Sequence, residues 1–235
     1  MGGARARHAG PSSAGRAVLF GTKGAGSAAV EAALTLAEVP FELVNAAEWQ
    51  PGPGLERLRK VNPLAQIPTL LLDDGSVMTE SAAILIHLGL TRPDSDLLPS
   101  APASRAQAMR GLVYLAANCY AAIGVIDYPA RWVKDADEAT GARIRAGSRA
   151  RLHALWEVFA DTFPARPFLG GAQLGALDLQ AAVVSRWSGG RAHLAVARPK
   201  LHDCLIRVEA DPRIASIFAH HWPPPACPNV EAPLG

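Results

Sequence analysis

The stretch that most constrains this chain is residues 61–88, VNPLAQIPTLLLDDGSVMTESAAILIHL. Pro68 lacks an N–H and holds φ fixed, so it suits the first residue of a strand rather than its middle. Residues 69–72 form a short apolar run, Asp74-Gly75 is a hairpin turn, and Val77-Met78 returns. Thr79 stands where a helix N-cap belongs, with Glu80 and Ser81 in the first turn of an apolar helix. Such a helix start presents backbone N–H groups to a carboxylate and the Glu80 carboxylate to an ammonium. That is a receptor for a zwitterion.

Upstream, residues 18–20 read as a strand running into GTKGAG. Residues 27–38 read as a helix, with Val30, Ala33, Leu34 and Ala37 at helical spacing, and residues 41–44 as a second strand after Pro40. A βαβ unit of this length implies a right-handed crossover and two parallel strands. Residues 49–54 are loop-like and 55–60 suit a short helix. With the hairpin and its helix, the order is βαβαββα.

Residues 61–88 resemble the second half of the thioredoxin-like domain of cytosolic glutathione S-transferases, and the resemblance extends more thinly over residues 17–222. It implies an α/β thioredoxin-like N-terminal domain followed by an all-α C-terminal domain. The expected organisation is an arm at 1–16, the glutathione-binding domain at 17–90, a Pro/Ser/Asp-rich linker at 91–103, helices over 104–222 and a Pro-rich tail at 223–235. Helical candidates are 104–127, 137–163, 176–188, 199–210 and 212–220. The run from Phe168 to Asp178 matches the family's helix-start signature, with Gly175 in place of its Ser or Thr cap. Glycine is tolerated there, and Asp178 at the third helical position reads as a structural cap.

The resemblance also implies site residues. Ile67-Pro68 is expected cis, with the Ile67 backbone pairing the cysteinyl unit of glutathione. Glu80 and Ser81 hold the γ-glutamyl end. Lys60, near Arg57 and Arg59, is placed for the glycyl carboxylate, and Gln66 is a further contact. Tyr114, Asn118 and Tyr120, with Trp132 beyond them, line a pocket for a small hydrophobic electrophile.

The reaction implied is attack by the glutathione thiolate. A free thiol titrates near 8.5, and lowering that by about two units takes roughly 2.7 kcal/mol of preference for the thiolate. A hydroxyl hydrogen bond supplies about 1.5–3 kcal/mol and a helix N-terminus about 0.3–1 more. The family places Tyr, Ser or Cys at the start of the first helix. Here Gly21 takes the place of the Tyr, and GAGS resembles the bacterial GACS with Gly26 where the cysteine would sit. Ser27, with Thr22 second, is the expected activating hydroxyl, although Ser27 also reads as a plain helix N-cap.

The expected function is therefore a glutathione transferase that activates its co-substrate for attack on an electrophile or peroxide. The alternative is a glutathione-binding or scaffold protein with little catalysis. A homodimer is expected. A formal charge of +2 over 235 residues gives no reason to expect nucleic acid or an anionic membrane as partner. The longest uncharged run, residues 111–126, falls short of a membrane span. Cys119, Cys204 and Cys227 are scattered without a CxxC pair, which fits a reducing, cytoplasmic setting with no zinc site. The seven histidines show no ligand spacing, and His220-His221 reads as solvated. Residues 1–16 lack the apolar segment of a secretory signal.

Overall fold

The computed structural model describes residues 16–223. Most of the two expected arms, and Cys227, lie outside the described residues. The first half runs β1 (Ala17–Gly21), α1 (Ser27–Leu36), β2 (Phe41–Asn45), α2 (Pro53–Val61), β3 (Thr69–Leu71), β4 (Val77–Thr79) and α3 (Ser81–Thr91). The strands form one mixed sheet in the order β2-β1-β3-β4. β1 and β2 are parallel, with Ala17 opposite Phe41 and Gly21 opposite Asn45, and the other two pairings are antiparallel.

Every residue of β1 is buried, as suits a central strand covered on both faces. Ala17 and Leu19 join the large core with α1 and α3, while Val18 and Phe20 pack with Val44, Leu55 and Leu58 beneath α2. Period-2 alternation within a wholly apolar strand thus feeds two layers at once.

The second half is helical: α4 (Pro102–Tyr114), α5 (Ala121–Asp127), α6 (Glu138–Thr162), α7 (Ala176–Val184), α8 (Gly190–Ala197), α9 (Pro199–Glu209) and α10 (Ala215–His221). A π-helical stretch, Leu115–Tyr120, joins α4 to α5. The whole of Pro102–Asp127 is one 26-residue helix, long and apolar enough by length and composition to cross a bilayer. It exceeds the uncharged run because it also takes in Arg105 and Arg110. Its Leu112, Leu115, Cys119 and Ile123 are buried in the protein core. All nine residues of α7 are buried, and α7 packs against α1, α3, α4 and α9. A helix buried on every face has no side for water and so becomes the centre of its layer, with its two polar side chains, Asp178 and Gln180, hydrogen-bonded inside the protein. Asp178 ties its start down, as expected. One carboxylate oxygen accepts from Gly175 N–H at 2.9 Å and the other from Leu169 N–H at 2.7 Å.

Three local readings change. Helix α8 lies outside the expected helical segments: Gly189 and Gly190 open it, and Leu194 is its one buried large apolar side chain, so its apolar pattern is faint. Thr79 closes β4, and Glu80 takes the N-cap position with φ 62° and ψ 106° and no side-chain cap bond. His221 is not solvated: it is 4% exposed and bonded on both ring nitrogens.

Candidate functional site

A cleft of about 570 Å³ opens between the sheet half and the helical half. One wall comprises Gly24, Ala25 and Gly26 before α1, residues 65–68 before β3, and Thr79, Glu80 and Ser81 where β4 meets α3. The facing wall includes Ala116, Tyr120, Ile123, Asp127, Tyr128 and Trp187.

Local hydrogen bonds build the first wall. Buried Asn62 donates through Nδ2 to Thr69 Oγ1 at 2.9 Å and to the Gln66 carbonyl at 3.2 Å. Thr69 Oγ1 donates to the same carbonyl at 2.7 Å. This network holds the turn in which the Ile67-Pro68 peptide is cis. Among the described residues the Ile67 N–H has no backbone partner. Glu80 sits at positive φ, a conformation that costs a non-glycine residue about 1–3 kcal/mol and that concentrates at functional sites. Beside it, Ser81 Oγ accepts from Gln180 Nε2 of α7 at 2.9 Å.

The facing wall is aromatic and partly charged. Tyr120 packs edge-on against Trp187, with ring centroids 5.6 Å apart. Burial pushes the Tyr120 phenol pKa up, and the charges of Asp127 and Glu80 add to that, so it stays a protonated donor at neutral pH. Burial raises the Asp127 carboxyl as well. Arg131 lies 4.0 Å from the Tyr128 ring centroid and is the one basic side chain lining the cleft among the described residues. No three His, Cys, Asp or Glu side chains among the described residues cluster closely enough to hold a metal.

Residues 27–90 match the family described as glutathione S-transferase, N-terminal domain. The uncharacterized GST-like protein YncG of Escherichia coli (strain K12) is 35% identical over 173 residues, spanning 73% of this chain and 82% of that protein. The chain belongs to the glutathione S-transferase family. A glutathione transferase homolog from Sulfitobacter with bound glutathione has the same fold, with a TM-score of 0.75 at 22% identity over 86% of this chain and 96% of that one. A glutathione S-transferase from Methylobacterium radiotolerans, in complex with glutathione sulfonate, aligns with a TM-score of 0.68 at 27% identity. It covers 86% of this chain and 94% of its own. The thioredoxin-like domain followed by a helical domain is thus the fold of this family member.

Within this glutathione S-transferase scaffold the expected site residues divide. Gln66, Ile67, Pro68, Glu80, Ser81 and Tyr120 all line the cleft. Lys60 is exposed on α2 and does not line it, and Arg57 is engaged with Glu42 at 2.9 Å. Tyr114 belongs to the core: its hydroxyl donates to the Leu155 carbonyl at 3.0 Å and its ring packs on Phe159 and Phe163. Asn118 donates to the Tyr114 carbonyl at 3.1 Å, and Trp132 is exposed, both off the cleft.

Ser27 and Thr22 are buried behind the cleft wall rather than on it. Ser27 Oγ accepts from Thr22 N–H at 3.2 Å and donates to the Thr22 carbonyl at 3.3 Å, closing the turn. Thr22 Oγ1 donates to Asn45 Oδ1 at 2.6 Å. The reason lies in Gly21, where a Cβ would stand 2.5 Å from Ser27 Oγ. The Ser27 side chain fills the room that a side chain at position 21 would need.

Three contributors escaped sequence reading. Asn62 and Gln180 each carried a signal, a polar residue beside an extended proline turn and an amide in the middle of an apolar helix. His221 carried none, since its partners Gly24 and Glu31 lie at the opposite end of the chain.

Proposed function

We propose that the cleft binds glutathione and activates its thiol for attack on a small hydrophobic electrophile or a peroxide. The observation that carries this reading is the convergence on one wall of three separate elements. These are the Ile67 N–H, without a backbone partner among the described residues, the Glu80-Ser81 start of α3, and the turn into α1. In this reading the cysteinyl backbone adds to Ile67 as an extra strand would. The γ-glutamyl carboxylate meets Ser81 and the α3 N-terminus, its ammonium meets Glu80, and Gln66 closes over the peptide. The aromatic wall of Tyr120, Tyr128 and Trp187 takes the electrophile. Arg131 supplies the cleft's positive charge, in place of Lys60, which does not line the cleft.

Calorimetric titration with glutathione, followed by turnover assays over aryl halides, enones and hydroperoxides, tests the proposal. Binding at millimolar concentration or tighter with turnover of one class supports it; absence of binding overturns it. Binding without turnover favours a second reading, a glutathione-binding protein with little catalysis. The buried Ser27 hydroxyl and the committed Thr22 proton support that alternative. As working partners we infer a second copy of the chain, through exposed apolar residues such as Leu90 and Val113, in a cytoplasmic setting. Sedimentation velocity checks the former and fractionation the latter.

A further inference from the structure

We infer that Tyr120, from the helical half, is the catalytic residue that donates a hydrogen bond to the glutathione thiolate, in a space kept open for it by Gly26. The inference rests on the glutathione-binding reading above. A Cβ built on Gly26 would stand 3.0 Å from the Tyr120 hydroxyl oxygen, with the ring edge at 3.6 Å. The phenol therefore rests on the residue immediately before α1, where a thiolate gains from the free N–H groups of the helix start. Position 26 has φ −60° and ψ −18°, which any residue adopts, so backbone geometry does not call for glycine there. Room for the Tyr120 hydroxyl does.

Three further observations agree. The Tyr120 hydroxyl has no hydrogen-bond partner among the described residues, whereas Ser27 and Thr22 have theirs. Tyr120 and Gly26 both line the cleft that also holds Ile67, the edge for the cysteinyl unit. The π-helical stretch Leu115–Tyr120 ends at this tyrosine, and such stretches recur at functional sites. In the reaction the glutathione S–H bond breaks and its proton passes to solvent water, leaving the electron pair on sulfur. The Tyr120 O–H donates to that sulfur and keeps its own proton. Sulfur then bonds to the electrophilic carbon, and the leaving group departs with the pair of the broken bond.

The test follows thiol ionisation by ultraviolet thiolate absorbance against pH in the full-length protein saturated with glutathione, with S-methylglutathione as the blank. Tyr120→Phe keeps the ring on Trp187 and removes the donor. It is expected to raise the bound thiol's pKa by about one unit or more, an approximately 10- to 100-fold loss of thiolate at fixed pH, with affinity for S-methylglutathione unchanged. Gly26→Ala, which pushes a methyl group into the hydroxyl, is expected to raise the pKa alone and to add nothing in the Tyr120→Phe background. A lowered wild-type pKa that Tyr120→Phe leaves in place, or strictly additive effects of the two substitutions, overturns the Tyr120 assignment and spares glutathione binding. So does a wild-type pKa that is never lowered. Failure of the wild type to bind either ligand overturns both readings.

Discussion

His221 Nδ1 accepts a hydrogen bond from the Gly24 backbone N–H at 3.0 Å, tying the last helix to the turn that forms one wall of the cleft. Because Nδ1 accepts, the ring proton lies on Nε2, which faces Glu31 Oε2 at 2.9 Å. His221→Ala strands both a backbone donor and a carboxylate in a buried place. Urea denaturation should show a loss of about 1–3 kcal/mol. Glutathione affinity should fall as well, because Gly24 is freed to move. An unchanged midpoint would mean that the tie carries no weight.

Glu80 combines a strained backbone with the charge proposed for the glutathione ammonium. Glu80→Gly relieves the positive φ and should stabilise the fold by about 1 kcal/mol while weakening glutathione about tenfold or more. Glu80→Ala should weaken binding equally without that gain. Melting temperature and calorimetry, read together, check the pair. Stabilisation with full affinity would detach Glu80 from the ligand.

Gln180 offers a contrast between fold and site. Its Oε1 is buried without a partner, so Gln180→Leu should be neutral or stabilising. The same change removes the donor to Ser81 Oγ, and glutathione affinity should drop about 3- to 10-fold. Loss of stability with intact affinity would reverse the assignment.

Asp178 supplies a pH signature. Burial raises its carboxyl to about 6 against the two N–H bonds it accepts. An acid whose folded pKa exceeds its unfolded value of about 3.9 holds its proton more tightly when folded. Its contribution is therefore complete below about pH 4 and is lost as pH rises through about 6. Asp178→Asn leaves one backbone N–H poorly matched and should be less stable than wild type by about 1–3 kcal/mol at pH 4. That gap should narrow towards pH 7. A constant gap across the range would show that Asp178 does not titrate there.

Much of this was legible in the residue order. The βαβαββα pattern, the hairpin at Asp74-Gly75 and the cap at Asp178 are governed by neighbours within a few positions, where turn chemistry and apolar spacing act. Glu80 and Ser81 were legible for the same reason, since a helix start announces itself in its own residues. Tyr114 and Tyr120 were not separable. Both lie in one apolar helix six residues apart, and only the packing sends Tyr114 to Leu155 and Tyr120 to Gly26.

The residue order alone was enough for the strands and helices of the first half, for every helix of the second half except α8, and for the wall of the cleft drawn from contiguous segments, because local sterics and hydrogen bonding act over short separations. Which hydroxyl faces the cleft was set by packing between distant segments. Ser27 was turned inward by the close approach of Gly21, and the vacancy at Gly26 was met by a side chain from the other half of the chain. Those outcomes depend on excluded volume between residues brought together by the packing of distant elements.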